Sequence, residues 1–110
     1  MTLVEFEREV VAYLLNYSKQ YAITPASLAA CSVTGYEYTG SGYFIEFTKS
    51  DLLLEDKTWH EPVVFGRNED VEVGFLLYTY DNSITLECHS WGEADVPVNI
   101  REMSLDVTLQ

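Results

Sequence analysis

Residues 71–91 constrain the fold more than any other stretch of the chain. Val71, Val73, Phe75 and Leu77 alternate with Glu72, Gly74, Leu76 and Tyr78 as far as Tyr80. Asp81-Asn82-Ser83 has turn chemistry, and the chain returns as Ile84-Thr85-Leu86-Glu87-Cys88-His89-Ser90-Trp91. Successive side chains of a strand point to opposite faces, so a period of two on both sides of a turn predicts an antiparallel hairpin. Ile84, Leu86 and Cys88 then share one face, and Thr85, Glu87, His89 and Trp91 share the other.

The flanking segments extend this sheet. Residues 28–48 read as a second hairpin, with Cys31 and Val33 alternating toward Tyr36 and Tyr38. Gly40-Ser41-Gly42 turns that chain into Tyr43-Phe44-Ile45-Glu46-Phe47. Val63-Val64-Phe65 suits a brief strand, and Gly66 to Asp70 the turn after it. Leu105, Val107 and Leu109 suit a final strand, after a break from Gly92 to Pro97. Residues 49–62, with Leu52-Leu53-Leu54 among charges, fit a short helix or a packed loop. Ahead of all this, Val4, Phe6, Val10, Leu14, Tyr17 and Tyr21 recur at helical spacing. The stripe predicts an amphipathic helix over residues 3–20, started by a Thr2/Glu5 capping box and ended between Ala22 and Pro25. The fold expected is α+β: this N-terminal helix packed on one face of an antiparallel sheet of about five or six strands. The 110 residues, 47% of them hydrophobic, suit a single domain over 1–110 and argue against disorder.

If the helix covers Val33, Ile45, Phe75, Leu77, Leu86 and Cys88, the other face displays Tyr36, Tyr38, Phe44, Glu46 and Leu76. It also displays Tyr78, Tyr80, Glu87, His89 and Trp91. Tyrosine and tryptophan combine contact area with a polar handle, which suits them to interfaces. Eighteen Asp and Glu against six Lys and Arg give a net charge of -12. Such a surface repels phosphate, which disfavours nucleic acid and anionic membrane as partners and favours a basic protein. No apolar run has the length of a membrane span, and the first residues, with no basic region and no small-residue cleavage site, do not read as a secretion signal. With only two cysteines, Cys31 and Cys88, this fits a reducing, cytoplasmic setting. Asn16-Tyr17-Ser18 matches a glycosylation acceptor, but within the expected helix of such a chain it reads as chance.

The chain carries no recognisable catalytic motif. Cys88 and His89 are adjacent on a strand and point apart, so they do not form a nucleophile–base pair. Two histidines, with Glu87, fall short of a zinc site, and no metal or other cofactor is expected. Gly40-Ser41-Gly42 lacks the lysine of a phosphate loop. These observations favour a non-enzymatic reading.

Gly42-Tyr43-Phe44-Ile45-Glu46-Phe47, Gly74-Phe75-Leu76-Leu77-Tyr78 and Leu86-Glu87-Cys88-His89-Ser90-Trp91-Gly92-Glu93 together resemble segments of small acidic bacterial proteins of the immunity-protein type. The resemblance covers the middle half of the chain and implies a cytosolic binder of a toxin. It carries over no catalytic residue.

The function expected is therefore an immunity- or inhibitor-type domain that engages a basic protein partner. Tyr78, Tyr80, His89 and Trp91 serve as anchors, and Glu87, Glu93, Asp95, Glu69, Asp70 and Glu72 supply the field. One alternative is a small ligand-binding or catalytic domain with a pocket near Trp59 and His60. Another is a structural subunit that self-associates through an open sheet face or edge.

Overall fold

A computed structural model describes residues 1–92 and 94–110. The helix α1 (Glu5–Asn16) precedes seven strands: β1 (Ser32–Tyr38), β2 (Gly42–Thr48), β3 (Lys57–Trp59), β4 (Val64–Arg67), β5 (Glu72–Tyr80), β6 (Ser83–Ser90) and β7 (Asp106–Leu109). Single 3-10 turns lie at Pro25–Leu28 and Ile100–Glu102. All strand pairs are antiparallel, in the order β1-β2-β6-β5-β4-β7, and β3 also pairs with β5. The α+β class is as the sequence leads one to expect, but the sheet has one strand more than the upper count. The extra strand, β3, comes from the segment expected to be a helix or loop. It forms because β5 spans nine residues, enough to pair with β4 along Glu72–Gly74 and with β3 along Leu77–Thr79 of the same edge.

Two hairpins hold the sheet centre. Asp81 and Asn82 both take positive φ (48° and 64°), the geometry of a two-residue turn whose twist matches the strands it joins. Gly40, at φ 86°, serves the other hairpin. The buried side chains Tyr43, Ile45 and Phe47 of β2 lie in register with Cys88, Leu86 and Ile84 of β6, and these with Phe75, Leu77 and Thr79 of β5. This is the inner face. Phe6 of α1 comes to 6.1 Å from Phe75, ring centre to ring centre, and Glu7 receives the Tyr43 hydroxyl hydrogen bond at 2.6 Å.

The helix is shorter than its stripe and starts later. Val4 is the N-cap, and the Glu7 side chain accepts from the Val4 N–H at 2.8 Å. The reach-back of a capping box thus comes from Glu7, not from Glu5 paired with Thr2. At the other end the Asn16 amide bonds both the N–H and the C=O of Ile23 at 2.7 Å. That folds the chain back on itself, leaving Tyr17 exposed beyond the helix and Tyr21 half-buried against the Trp59 ring.

Strand β1 departs from simple alternation. Its register slips between Val33 and Gly35, so Val33 lies opposite Phe47, and Tyr36 and Tyr38 lie opposite Ile45 and Tyr43. A bulge inserts one residue and reverses the alternation beyond it. Tyr36 and Tyr38 therefore belong to the inner face, not to the outer face the sequence assigned them. Tyr36 packs against Tyr43 at 5.4 Å, and the Tyr38 hydroxyl donates to the Val96 carbonyl.

Candidate functional site

The outer face presents Phe44 and Glu46 from β2, Thr85, Glu87 and His89 from β6, Leu76 and Tyr78 from β5, and Phe65 from β4. Phe44, Phe65, Leu76, Tyr78, Glu87 and His89 are each half-buried. The 49–56 segment bends away from them: Leu52 and Leu54, half-buried, pack against the core, and the Glu55 carbonyl accepts from the inner-face Thr79 hydroxyl at 2.6 Å.

Trp91 turns back over this face. Its backbone N–H donates to the Glu72 carbonyl at 3.0 Å, prolonging the β5–β6 ladder by one residue. Its ring meets Phe65 edge-on at 4.5 Å and stacks beside His89 at 5.9 Å. The floor is Gly74, opposite both His89 and Phe65. A Cβ there would stand 2.7 Å from His89 Cε1 and 2.7 Å from Trp91 Cε3, so only glycine leaves room for the two rings. Trp91 remains 49% exposed. Neither Phe65 nor Gly74 is among the expected site residues. The available signal was an isolated glycine inside a strong strand, which often marks a close approach.

Acidic side chains adjoin this aromatic group. Asp70, Glu72 and Asp95 line one small cavity of about 140 Å³, together with Ser90 and Gly92, the neighbours of Trp91. Asp70 is presented by a turn in which Asn68 Oδ1 accepts from the Asp70 and Val71 N–H groups at 2.8 and 2.9 Å. Glu69 is exposed on the same turn. Glu72 also meets Arg67 at 3.3 Å. Glu93 lies outside the described residues.

Other expected members stand apart. Tyr78 is four residues from Gly74 along β5, about 13 Å, and Tyr80 six residues, about 20 Å. Tyr80 is 74% exposed at the far end of the sheet, so it does not belong to the Trp91 group. The Tyr78 hydroxyl donates to Glu87 Oε1 at 2.7 Å. Burial first, and then the Glu87 carboxylate, push its pKa up to about 12. At neutral pH the Tyr78 hydroxyl therefore keeps its proton and remains a neutral donor.

Trp59 is buried, its indole N–H donating to Thr79 Oγ1 at 2.8 Å and its ring lying under the Lys57 ammonium. His60 is exposed. The two line a depression of about 300 Å³ with Leu14, Tyr17 and Thr58, but Trp59 has its polar group satisfied and its faces occupied. Among the described residues no group of three or more His, Cys, Asp or Glu side chains is placed to hold a metal ion. Cys31 and Cys88 are buried free thiols, and burial raises the pKa of both. A thiol so raised is a poor nucleophile at neutral pH. No helix among the described residues is long and apolar enough to cross a membrane.

Comparison of the chain with protein-family models, curated proteins and solved structures finds no match.

Proposed function

We propose that this chain is a non-enzymatic, cytoplasmic protein-binding domain of the immunity or inhibitor type, which masks a basic surface on another protein. In this reading α1 covers the inner sheet face and leaves the outer one for the partner. The observation that carries it is Trp91, half-exposed and braced by Phe65 and His89 over Gly74, beside a cleft lined by Asp70, Glu72 and Asp95. A braced aromatic ring forfeits little side-chain entropy on binding, and the neighbouring carboxylates attract positive charge over roughly a Debye length. Tyr78 and Glu87 extend the contact along the sheet. Tyr80 contributes only if the partner reaches the far end.

The roles separate kinetically. Trp91→Ala is expected to raise the dissociation rate about tenfold or more with little change in association. Glu69→Lys with Asp70→Lys is expected to slow association several-fold at low salt, an effect that fades in about 0.5 M salt. Both are read by biosensor kinetics on the partner captured from host extract with the wild-type chain. Equal effects of the two changes on the same rate constant contradict the assignment.

A further inference from the structure

We infer that the free edge of β7, with the groove between it and the first turns of α1, binds an extended, basic polypeptide segment by strand addition. This site is separate from the Trp91 face. The Gln110 N–H donates to the Val63 carbonyl at 3.0 Å, which marks Val63 and Gln110 as a hydrogen-bonded antiparallel pair. Such pairs alternate with non-bonded ones, so Phe65/Thr108 and Arg67/Asp106 are bonded pairs, and Val64/Leu109 and Gly66/Val107 are not. The N–H and C=O groups of Val107 and Leu109 accordingly point away from β4. Strand β7 pairs with β4 alone, and among the described residues no side chain bonds those groups.

Edges of this kind are normally blunted. On β1 the bulge between Val33 and Gly35 does so, and β3 has only three residues. Strand β7 is four residues long and pairs with β4 without a bulge. Beside it lies a groove of about 380 Å³, with Val4, Phe6, Leu105 and Val107 on its apolar part. Glu5, Glu9 and Asp106 line it too, and no Lys or Arg does. An added strand gains main-chain hydrogen bonds from the edge and selectivity from alternate side chains. Here one set, directed toward α1, meets the apolar groove with Glu5 and Glu9 in its lining, and the basic set, on the other face, meets Asp106. A second copy of this chain is disfavoured, because pairing two such edges joins two acidic rims on chains of net charge -12.

The probe is a six-residue peptide of alternating valine and lysine, capped at both ends, compared with the same peptide N-methylated on alternate residues. Charge is equal in the two, but the methylated form cannot donate along one edge. We expect the plain peptide to bind the full chain at least tenfold more tightly, and to slow hydrogen exchange at the Val107 and Leu109 amides. Val107→Pro removes an edge-facing N–H and no bond to β4, so it should weaken the plain peptide to the level of the methylated one. Leu109→Pro repeats the test at the neighbouring free amide. Trp91→Ala should leave the affinity unchanged, which keeps this result apart from that of the outer face. Equal binding of the two peptides, or protection of these amides by dimerisation in sedimentation without peptide, overturns the proposal.

Discussion

Replacing Arg101 with methionine is expected to lower the free energy of unfolding by about 3–5 kcal/mol. Glu7 is 0% exposed, and both of its carboxylate oxygens are fully engaged. Oε1 accepts from the Val4 N–H at 2.8 Å and Arg101 Nη2 at 2.9 Å, while Oε2 accepts from the Tyr43 hydroxyl at 2.6 Å and Arg101 Nε at 2.8 Å. Arg101 also donates to the Thr2 carbonyl at 2.8 Å, so one guanidinium joins the start of α1 to the turn before β7. Methionine keeps much of the side-chain volume but leaves a buried carboxylate with two neutral donors. Chemical denaturation measures the loss. The double variant Glu7→Leu with Arg101→Met should be more stable than Arg101→Met alone, because it removes the orphaned charge. A loss under about 1 kcal/mol for the single change would show that the pair contributes little.

Gly42→Ala is the second large effect, at about 3 kcal/mol. A Cβ at Gly42 would stand 1.8 Å from the Cys88 carbonyl oxygen and 2.9 Å from His89 Cα. Both are backbone atoms of the central strand β6, with no flexible side chain to give way. The β2–β6 ladder would have to part at Gly42↔His89, next to the 2.7 Å bond from the Ser90 N–H to the Ser41 carbonyl. Gly92→Ala is the control. A Cβ at Gly92 would meet nothing within 4 Å, so the stability of this variant should stay within about 0.5 kcal/mol of wild type. Similar losses for the two changes would argue against the close approach.

The buried Tyr43 and Cys88 add a pH dependence. Burial and, after it, the Glu7 carboxylate raise both pKa values above their ordinary 10.0 and 9.0. The unfolded chain releases these protons from about pH 9 upward while the folded chain holds them. Unfolding is then favoured as pH rises, by up to about tenfold in the equilibrium constant per pH unit for each group. Denaturation midpoints should be steady below about pH 9 and fall between about pH 9 and 11. In Tyr43→Phe the part of the fall above about pH 10 should be smaller. A midpoint constant to about pH 11 contradicts this account.

Much of the sheet was legible because period-two alternation is a local consequence of strand geometry. The β5–β6 hairpin, its turn at Asp81 and Asn82, and the Ile45/Leu86/Leu77 inner row all follow from it. Tyr36 and Tyr38 were misplaced because a bulge costs only one residue and leaves no mark in a strand made of Thr34, Gly35 and Tyr36. Strand β3 was missed because three residues carry no period, and they pair only where β5 offers a free stretch. The Trp91 site was half legible. Trp91 and His89 lie on one face by alternation, whereas Phe65 and the role of Gly74 depend on how β4 meets β5. Tyr80, on the same strand face, lies too far along it to join them.

By itself, the sequence determined the class of fold, the strong negative charge and the residues of the central hairpins, since each is a matter of composition or of spacing within a few residues. Only the tertiary structure decided that Glu7 is buried, that Arg101 is its partner 94 residues away, and that the Asp70 turn and Asp95 come together beside Trp91. Those pairings join segments remote in the chain, and their free energy comes from desolvation and contact that exist only once the sheet has assembled.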